Sequence, residues 1–168
     1  AAQKLDNTLY VKMNSRGRPL TGFENFKADL EALLHKNPAL LESDGAAVKA
    51  FSHKIDTDWA DLFWPYRGEK HLIDEECVRY LRFLFEVRAW KQGLSVQTSL
   101  SDLRALSVLS KALLGNQASA AHDNLDWIAR ALDVWLTVQS AGFSGPQAIG
   151  PLFATLFTRD TESIASTP

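Results

Sequence analysis

Several features that would assign this chain to a particular class of protein are scarce or missing. It contains a single cysteine, Cys77, which excludes an internal disulfide and fits a reducing compartment. Its net charge is only −2, so no global basic field attracts it to nucleic acid or to an anionic membrane, and only a local basic patch remains open. No apolar run reaches the roughly 18 residues of a membrane span, and residues 1–10 lack the long apolar core of a signal peptide. These absences favour a cytoplasmic protein without membrane contact.

The chain does contain enough apolar sequence for one sizeable core. Its 168 residues are 46% hydrophobic and 23% charged, as in an ordinary globular protein, which argues against disorder over most of the length. No internal repeat or low-complexity linker divides it, so we predict a single domain over residues 1–168 with a polar tail, residues 159–168, that frays. The only methionine is Met13 and the chain starts and stops abruptly. We therefore expect a fragment of a larger multidomain protein, although removal of a tag would also explain the start.

Helical periodicity dominates the sequence, and we predict an all-α fold, an irregular bundle of about six helices with orthogonal or mixed packing. The predicted helices span about 22–36, 45–64, 74–93, 101–114 and 119–140, and a last one begins near Ser144 and ends near Phe157. Thr21 and Glu24 form a capping box at the start of the first helix, and Asp74 is expected to cap the third. Gly93 and Gly115 are expected to end the third and fourth helices.

The second and third predicted helices indicate where the core lies. One apolar stripe comprises Val48, Phe51, Ile55, Trp59, Leu62 and Phe63. This stripe continues through Asp56, so we predict one long helix, ended by Pro65 and Gly68, rather than two short ones. The third helix is apolar at nearly every position outside a narrow charged stripe of Glu75, Arg79, Arg82 and Glu86. A helix with this pattern is buried on most sides, so we predict that it is the central one.

The fourth and fifth predicted helices have different patterns. In the fourth, Leu103, Leu106, Leu109 and Leu113 are predicted to face inward. The fifth carries two stripes on opposing sides: Ala121, Leu125, Ile128, Ala129, Leu132 and Leu136 form one, and Trp127, Ala131, Val134 and Val138 form the other. One stripe faces the core. The second either packs on the last helix, whose inward set is Ile149, Leu152, Phe153, Leu156 and Phe157, or contacts a partner, which would give a homo-oligomer through Trp127, Val134 and Val138.

No metal-binding pattern is present in the sequence. The histidines are His35, His53, His71 and His122. No two of them are spaced i, i+4, and a single cysteine gives no zinc-binding spacing. Asp56, Asp58 and Asp61 lack the glycine and the distal glutamate of a calcium loop, and their setting favours a solvated helix face. We therefore predict no metal site in this chain.

No complete catalytic pattern is present either. Cys77 lies in the most apolar helix, where a thiol behaves as a small hydrophobic side chain. Neither a Gly-x-Ser-x-Gly elbow nor a Gly-Lys-Ser/Thr phosphate-binding loop occurs. The five tryptophans favour a core or interface role over base stacking, since Trp59 lies on the inward stripe of its helix. We predict no catalytic residues and no cofactor in this chain.

The strongest local candidate for a binding site is a basic turn before the first helix. Lys12, Arg16, Arg18 and Lys27 surround the turn Asn14-Ser15-Arg16-Gly17. The N–H groups of the following helix point back at this turn, and basic side chains beside a helix N-terminus bind phosphate groups. The candidate phosphate-binding residues are Asn14, Arg16, Gly17, Arg18 and Lys27. Spacing alone leaves open the alternative of a solvated basic turn in which Asn14 only tethers the backbone.

The same segment resembles a known family. The run from Leu9 to Lys27, LYVKMNSRGRPLTGFENFK, resembles a hallmark of the GmrSD-type restriction proteins, in which an Asn-x-x-Gly-x-x-Leu turn leads into a helix. Asn14, Gly17 and Leu20 match the turn, Arg16 its common basic position, and Glu24 the acidic position of the helix. The stretches 54–64 and 73–76 also resemble segments of longer members, so the resemblance covers roughly the first half of the chain.

The resemblance implies a multidomain, nucleotide-dependent protein that restricts modified phage DNA. Such proteins have a ParB/sulfiredoxin-like N-terminal domain with an Asp-Gly-Gln-Gln-Arg motif, and many add a His-Asn-His-type nuclease domain. Neither motif occurs here. The chain would then be the helical, non-catalytic portion, and the nucleotide, the divalent metal and the DNA would be bound by domains of the parent protein that it lacks.

Two further expectations accompany the resemblance. The first residues are read as helical by analogy, although Leu9, Tyr10 and Val11 have strand propensity. The alternative function is a structural, oligomerisation or protein–protein interaction module, and a stand-alone enzyme has little support.

Overall fold

Six α-helices form the part of the chain that the structure describes. The computed structural model describes residues 19–64, 73–97 and 99–140. The helices are α1 (Gly22–His35), α2 (Ala46–Asp56), α3 (Asp58–Phe63), α4 (Asp74–Lys91), α5 (Asp102–Leu114) and α6 (Ala121–Ser140), and two short 3₁₀ helices, Pro38–Leu40 and Glu42–Gly45, connect α1 to α2. Within these ranges there is no strand. The predicted all-α bundle is confirmed.

Helix α1 begins and ends close to its predicted bounds. Thr21 and Glu24 form the expected capping box, with the Thr21 N–H donating to Glu24 Oε2 at 2.7 Å and the Glu24 N–H donating to Thr21 Oγ1 at 3.2 Å. One face of α1 is buried through Phe23, Phe26, Leu30 and Leu34. This helix follows from local sequence alone, since both its cap and its apolar spacing are encoded within 14 residues.

The prediction of one long helix over residues 45–64 is wrong. The helix breaks at Thr57, whose φ of −122° and ψ of −100° are not helical, so α2 ends at Asp56 and α3 begins at Asp58. The Thr57 hydroxyl donates to the His53 carbonyl oxygen at 2.9 Å, a bond that competes with the helix ladder. The apolar stripe does not reveal the break because α2 and α3 both bury residues of that stripe, among them Phe51 and Trp59.

Helix α4 is central, as predicted, because it packs against α1, α3, α5 and α6. Two details of the prediction are wrong. Asp74 is the first helical residue rather than the cap, which is Ile73 and makes no side-chain capping bond. The helix is also less buried than predicted, because Phe83 and Trp90 on its outer face are 45% and 55% exposed.

Gly93 ends α4 as the sequence predicts. Its φ is +71°, a left-handed conformation that favours glycine. The Leu94 N–H donates to the Ala89 carbonyl at 3.0 Å and the Gly93 N–H donates to the Trp90 carbonyl at 2.9 Å. These two bonds are a Schellman motif, which satisfies carbonyls left unpaired at the helix end.

Helix α5 buries three of its four predicted leucines. Leu106, Leu109 and Leu113 are buried. Leu103, also predicted to face inward, is 36% exposed at the edge of the bundle. It lies over α1, where a Cβ placed on Gly22 would come within 2.8 Å of its Cδ1 atom. The prediction is therefore wrong for Leu103.

The described part of the chain has one core. Buried apolar side chains from all six helices form a single cluster. The first stripe of α6 contributes Ala121, Leu125, Ile128 and Leu132 to it, as predicted. Among the helices described, none is both long and apolar enough to cross a membrane. The predicted final helix, the helical reading of the first residues, Pro65, Gly68 and the tail lie outside the described residues.

Candidate functional site

The basic turn falls mostly outside the described part of the chain. Asn14, Arg16, Gly17 and Arg18 precede it, so Lys27 is the one predicted phosphate-binding residue that the structure describes, together with the motif residues Leu20 and Glu24. These three residues lie at the start of α1 and line one groove between α1 and α2.

The N-terminus of α1 is occupied by its own capping box. The Glu24 carboxylate accepts from the Thr21 N–H, and the Thr21 hydroxyl accepts from the Glu24 N–H. A carboxylate in this position already interacts with the positive end of the helix dipole. It would also repel a phosphate placed there, so the geometry of α1 does not by itself provide an anion site.

Lys27 connects two helices. Its ammonium group forms an ion pair with the Asp56 carboxylate at the end of α2. It also lies over the Phe23 ring, 5.4 Å from the ring centroid. The Lys27 side chain is 27% exposed and that of Asp56 60% exposed, so the ion pair is only partly shielded from water. A phosphate ligand would have to compete with Asp56 for this cation.

The groove between α1 and α2 has an acidic rim. Its volume is about 420 Å³. Leu30, Leu34 and Phe51 contribute apolar lining, and Glu24, Glu31 and Asp56 contribute carboxylates. Lys27 and His53 are the basic or titratable nitrogens along it. This arrangement repels phosphate and duplex DNA more than it attracts them.

A second, smaller groove lies between α1 and α5. Its volume is about 260 Å³. Lys36 and Lys111 lie along it together with Asp29, and Ser110 at its base donates its hydroxyl hydrogen to the Leu106 carbonyl at 2.7 Å. Because Ser110 is already hydrogen-bonded within its own helix, the groove presents no buried polar group that points toward a ligand.

Among the described residues, the Cys77 thiol and the potential metal ligands do not form a reactive site. Cys77 is 3% exposed. Burial, together with the nearby carboxylates of Asp74 and Glu76, raises the pKa of its thiol, so the nucleophilic thiolate is strongly disfavoured. No group of three His, Cys, Asp or Glu side chains among residues 19–64, 73–97 and 99–140 is arranged to hold a metal ion.

The tryptophans have different environments. Trp59 is 1% exposed, in the core, as its periodicity predicts. Trp127 is half-buried and lies beneath the cationic groups of Arg88 and Lys91, which are 5.7 Å and 5.8 Å from its ring centroid. Trp64 and Trp90 are 52% and 55% exposed. The two exposed rings come from different helix ends, Trp64 directly after α3 and Trp90 in the last turn of α4.

Asp133 on α6 was missed by sequence reasoning. It accepts two hydrogen bonds from Lys54 Nζ, at 3.0 Å and 2.9 Å, and one from the Trp59 indole Nε1 at 3.0 Å. Lys54 belongs to α2 and Trp59 to α3, so one carboxylate binds both sides of the break at Thr57. No local signal identifies this role, because the partners lie 79 and 74 residues away.

Two buried asparagines were also missed, and both bind the end of α5. Asn37 Nδ2 donates to the carbonyls of Leu114 and Gly115, each at 2.9 Å. Asn124 Nδ2 donates to the Leu113 carbonyl at 2.8 Å, and its Oδ1 accepts from Arg88 Nε at 2.7 Å. A signal existed for Asn124, because it lies next to the inward stripe of α6, four residues before Ile128. A polar residue in such a position is expected to make specific hydrogen bonds.

The second stripe of α6 is partly exposed. Val134 is 61% exposed, whereas Trp127 and Ala131 are half-buried and pack against the core. We call Trp127, Ala131, Val134 and Val138 the outer stripe of α6. This is the stripe that the sequence predicts to pack on the last helix or to contact a partner.

Comparisons with known proteins returned no match: neither a protein-family model, nor a curated protein, nor a solved structure is significantly similar to this chain.

Proposed function

We propose that this chain is the helical, non-catalytic portion of a GmrSD-like phage-restriction protein. The observation that carries the proposal is the run from Leu9 to Lys27, in which the Asn-x-x-Gly-x-x-Leu turn is followed directly by a helix. The described end of this run supports it, because α1 begins at Gly22 behind a complete capping box at Thr21 and Glu24. The turn would border the nucleotide- or DNA-binding domain of the parent protein.

The contacts of α1 indicate which basic residues are available to bind a phosphate. Lys27 is paired with Asp56, and the Glu24 carboxylate lies at the helix N-terminus. Of the cations among the candidate phosphate-binding residues, Arg16 and Arg18 would therefore be the ones that contact a phosphate. The helices behind the turn would act as a rigid support, because Phe23 and Phe26 anchor α1 in the core.

A phage challenge tests this proposal. A bacterial host expresses the complete gene product that contains the chain and is infected with a phage whose DNA carries modified bases, or with a matched phage without the modification. We expect the plating efficiency to fall only for the modified phage. Arg16→Ala with Arg18→Ala should restore plating, whereas the matched control Lys27→Ala should not. Equal plating of both phages on the unmutated protein would contradict the proposal.

The isolated chain is expected to bind DNA and nucleotide weakly. The reason is the acidic rim of the groove between α1 and α2, formed by Glu24, Glu31 and Asp56. Fluorescence anisotropy with labelled duplex DNA and with a labelled nucleotide measures this. A dissociation constant tighter than about 1 μM that is lost in Arg16→Ala would show instead that the basic turn is a self-sufficient site.

An interaction module is the second candidate function, and one observation favours it. Val134, in the middle of the outer stripe, is 61% exposed. A partner surface packed on this stripe would cover that side chain. Association through this stripe would give a concentration-dependent dimer in analytical ultracentrifugation.

A further inference from the structure

Negative charge is in excess along the groove between α1 and α2. Glu24, Glu31 and Asp56 contribute three carboxylates to its lining, and Lys27 contributes one ammonium group. That ammonium group is already paired with Asp56. The Glu31 carboxylate is exposed and belongs to none of the ion pairs among the described residues. The charges that repel a phosphate from this groove therefore attract a cation.

The carboxylates of Glu24 and Glu31 lie on one side of α1. Seven residues separate them, which is close to two helical turns and about 10.5 Å along the helix axis. Ala28 lies between them on α1, and Ser52 of α2 lines the same groove. Because both of these side chains are small, the middle of the groove is open between the two acidic positions.

The base of the groove is apolar. Leu30, Leu34 and Phe51 line it and are each at most 4% exposed, so they form its base. Leu20, just before α1, is 36% exposed, and Ile55 of α2 is half-buried. A free metal ion or a polyamine would leave the apolar surface of Leu20 and Ile55 in water, whereas an aliphatic side chain would cover it. The lining thus fits an occupant that is both cationic and apolar.

We propose that the groove between α1 and α2 binds a basic amphipathic helix of a partner protein. Two lysine or arginine side chains seven residues apart on that helix would reach Glu24 and Glu31. An aliphatic side chain between them would enter the groove over Ala28. Amphipathic helices bind hydrophobic grooves in this way, through anchors spaced i, i+3 or i+4, and i+7. The proposal does not rest on the proposed restriction function, and it concerns a different surface from the outer stripe of α6.

Two designed peptides test the charge of the occupant. Each is a labelled 15-residue helical peptide with alanine and glutamine at most positions. One carries two lysines seven residues apart with leucine at the third and fourth positions after the first lysine, and the other has glutamate in place of both lysines. Fluorescence anisotropy with the full chain in about 150 mM salt measures their binding. We expect a dissociation constant below about 100 μM for the lysine peptide and at least tenfold weaker binding of the glutamate peptide.

Charge reversal on α1 tests the position of the occupant. Glu31→Lys reverses one of the two acidic positions. The matched control Asp29→Lys makes the same change of charge at an exposed residue of the same helix that lines the groove between α1 and α5 instead. We expect Glu31→Lys to weaken binding of the lysine peptide about tenfold and to strengthen binding of the glutamate peptide. Asp29→Lys should change either by less than about twofold, because salt screens the more distant charge.

A substitution without any charge tests the shape of the groove. Ala28→Gln fills its middle, and Ala32→Gln makes the same change at an exposed alanine of α1 that lines the other groove. We expect at least about fivefold weaker binding of the lysine peptide to Ala28→Gln and unchanged binding to Ala32→Gln, since only the first would block the aliphatic side chain of the peptide.

Several results would overturn the proposal. Equal effects of Glu31→Lys and Asp29→Lys would attribute binding to the net charge of the chain. Spermine that binds as tightly as the lysine peptide would show that the groove is only an acidic patch. A dissociation constant above about 1 mM for the lysine peptide, or equal binding to the two glutamine variants, would show that no helix docks between α1 and α2.

Discussion

At the residue scale, Asn37 and Asn124 donate hydrogen bonds to the last carbonyls of α5, which solvent would bind at an exposed helix end. The last carbonyls of a helix have no partner within it, and those of Leu113 and Leu114 are enclosed by the bundle. Three amide hydrogen bonds from these two side chains satisfy the carbonyls of residues 113–115. Asparagine also occurs in exposed turns, and Asn37 stands where the sequence predicts the end of α1. Its buried role therefore depends on contacts with residues more than 70 positions away.

Asn37→Asp is predicted to destabilise the fold. The carboxylate cannot donate to the Leu114 and Gly115 carbonyls, and a charge would be enclosed at a site that is 2% exposed. We expect the free energy of unfolding to fall by about 3 kcal/mol. Urea denaturation measures it, with the exposed Asn116→Asp, one residue after Gly115, as the matched control. Equal effects of the two substitutions would show that the buried amide does not stabilise the end of α5.

The thiol of Cys77 is predicted to be unreactive in the native state. It is 3% exposed, and burial raises its pKa, so both access and thiolate are lacking. At pH 8 we expect no measurable reaction with Ellman's reagent over an hour in buffer, and one equivalent within minutes in guanidinium chloride. A stoichiometric reaction in buffer without unfolding would contradict the packing around α4.

At the scale of helices, local sequence encodes some elements fully and others only in part. The start of α1 follows from Thr21 and Glu24, and the end of α4 from Gly93, because in both cases the donors and acceptors are a few residues apart. The break at Thr57 could not be predicted in this way. It is stabilised by Asp133, whose bonds to Lys54 and Trp59 form only when α6 has packed.

The basic turn illustrates the same limit for the candidate site. Its residue types predict a phosphate ligand. The contact between Lys27 and Asp56, which depends on how α1 and α2 pack, removes one cation from the candidate set. The residues Asn14, Arg16, Gly17 and Arg18 remain a prediction.

Asp133→Ala is predicted to destabilise the packing of α2 and α3 on α6. The Trp59 ring is 1% exposed, so the indole N–H would lose its partner in the core. We expect a loss of about 2 kcal/mol, mostly from Trp59, since the partly exposed pair with Lys54 contributes little. Asp126→Ala, which removes an exposed ion pair with Arg130 on the same helix, is the control and should cost about 0.5 kcal/mol or less. Thermal unfolding followed by circular dichroism compares them, and equal losses would contradict the role of Asp133.

At the scale of the whole molecule, the buried thiol of Cys77 and the buried phenol of Tyr80 lower the stability of the fold at alkaline pH. Burial raises the pKa of Cys77 and of Tyr80, so the native state keeps both protons at a pH at which the unfolded chain loses them. The unfolded state then binds fewer protons than the native state, and the free energy of unfolding falls as pH rises.

The expected fall begins near pH 8.5, where an unfolded cysteine titrates, and steepens near pH 10, where an unfolded tyrosine does. Each group contributes about 1.4 kcal/mol per pH unit above that point. Urea midpoints between pH 8 and pH 10.5 measure the effect. Tyr80→Phe should remove the steeper part and leave the earlier one. A stability that is constant over this range would contradict the burial of both groups.

The shared end of α5 has a consequence for how the length of this chain can vary. Asn37 precedes α5 by 65 residues and Asn124 follows its end by ten, yet both amides bind consecutive carbonyls at the end of α5, Asn37 those of Leu114 and Gly115 and Asn124 that of Leu113. One extra residue inside α5 would turn those carbonyls by about 100° and separate them from both amides at once. Natural relatives and engineered variants should therefore tolerate insertions in the largely exposed residues 94–97 before α5, and hold the number of residues between Asp102 and Gly115 constant.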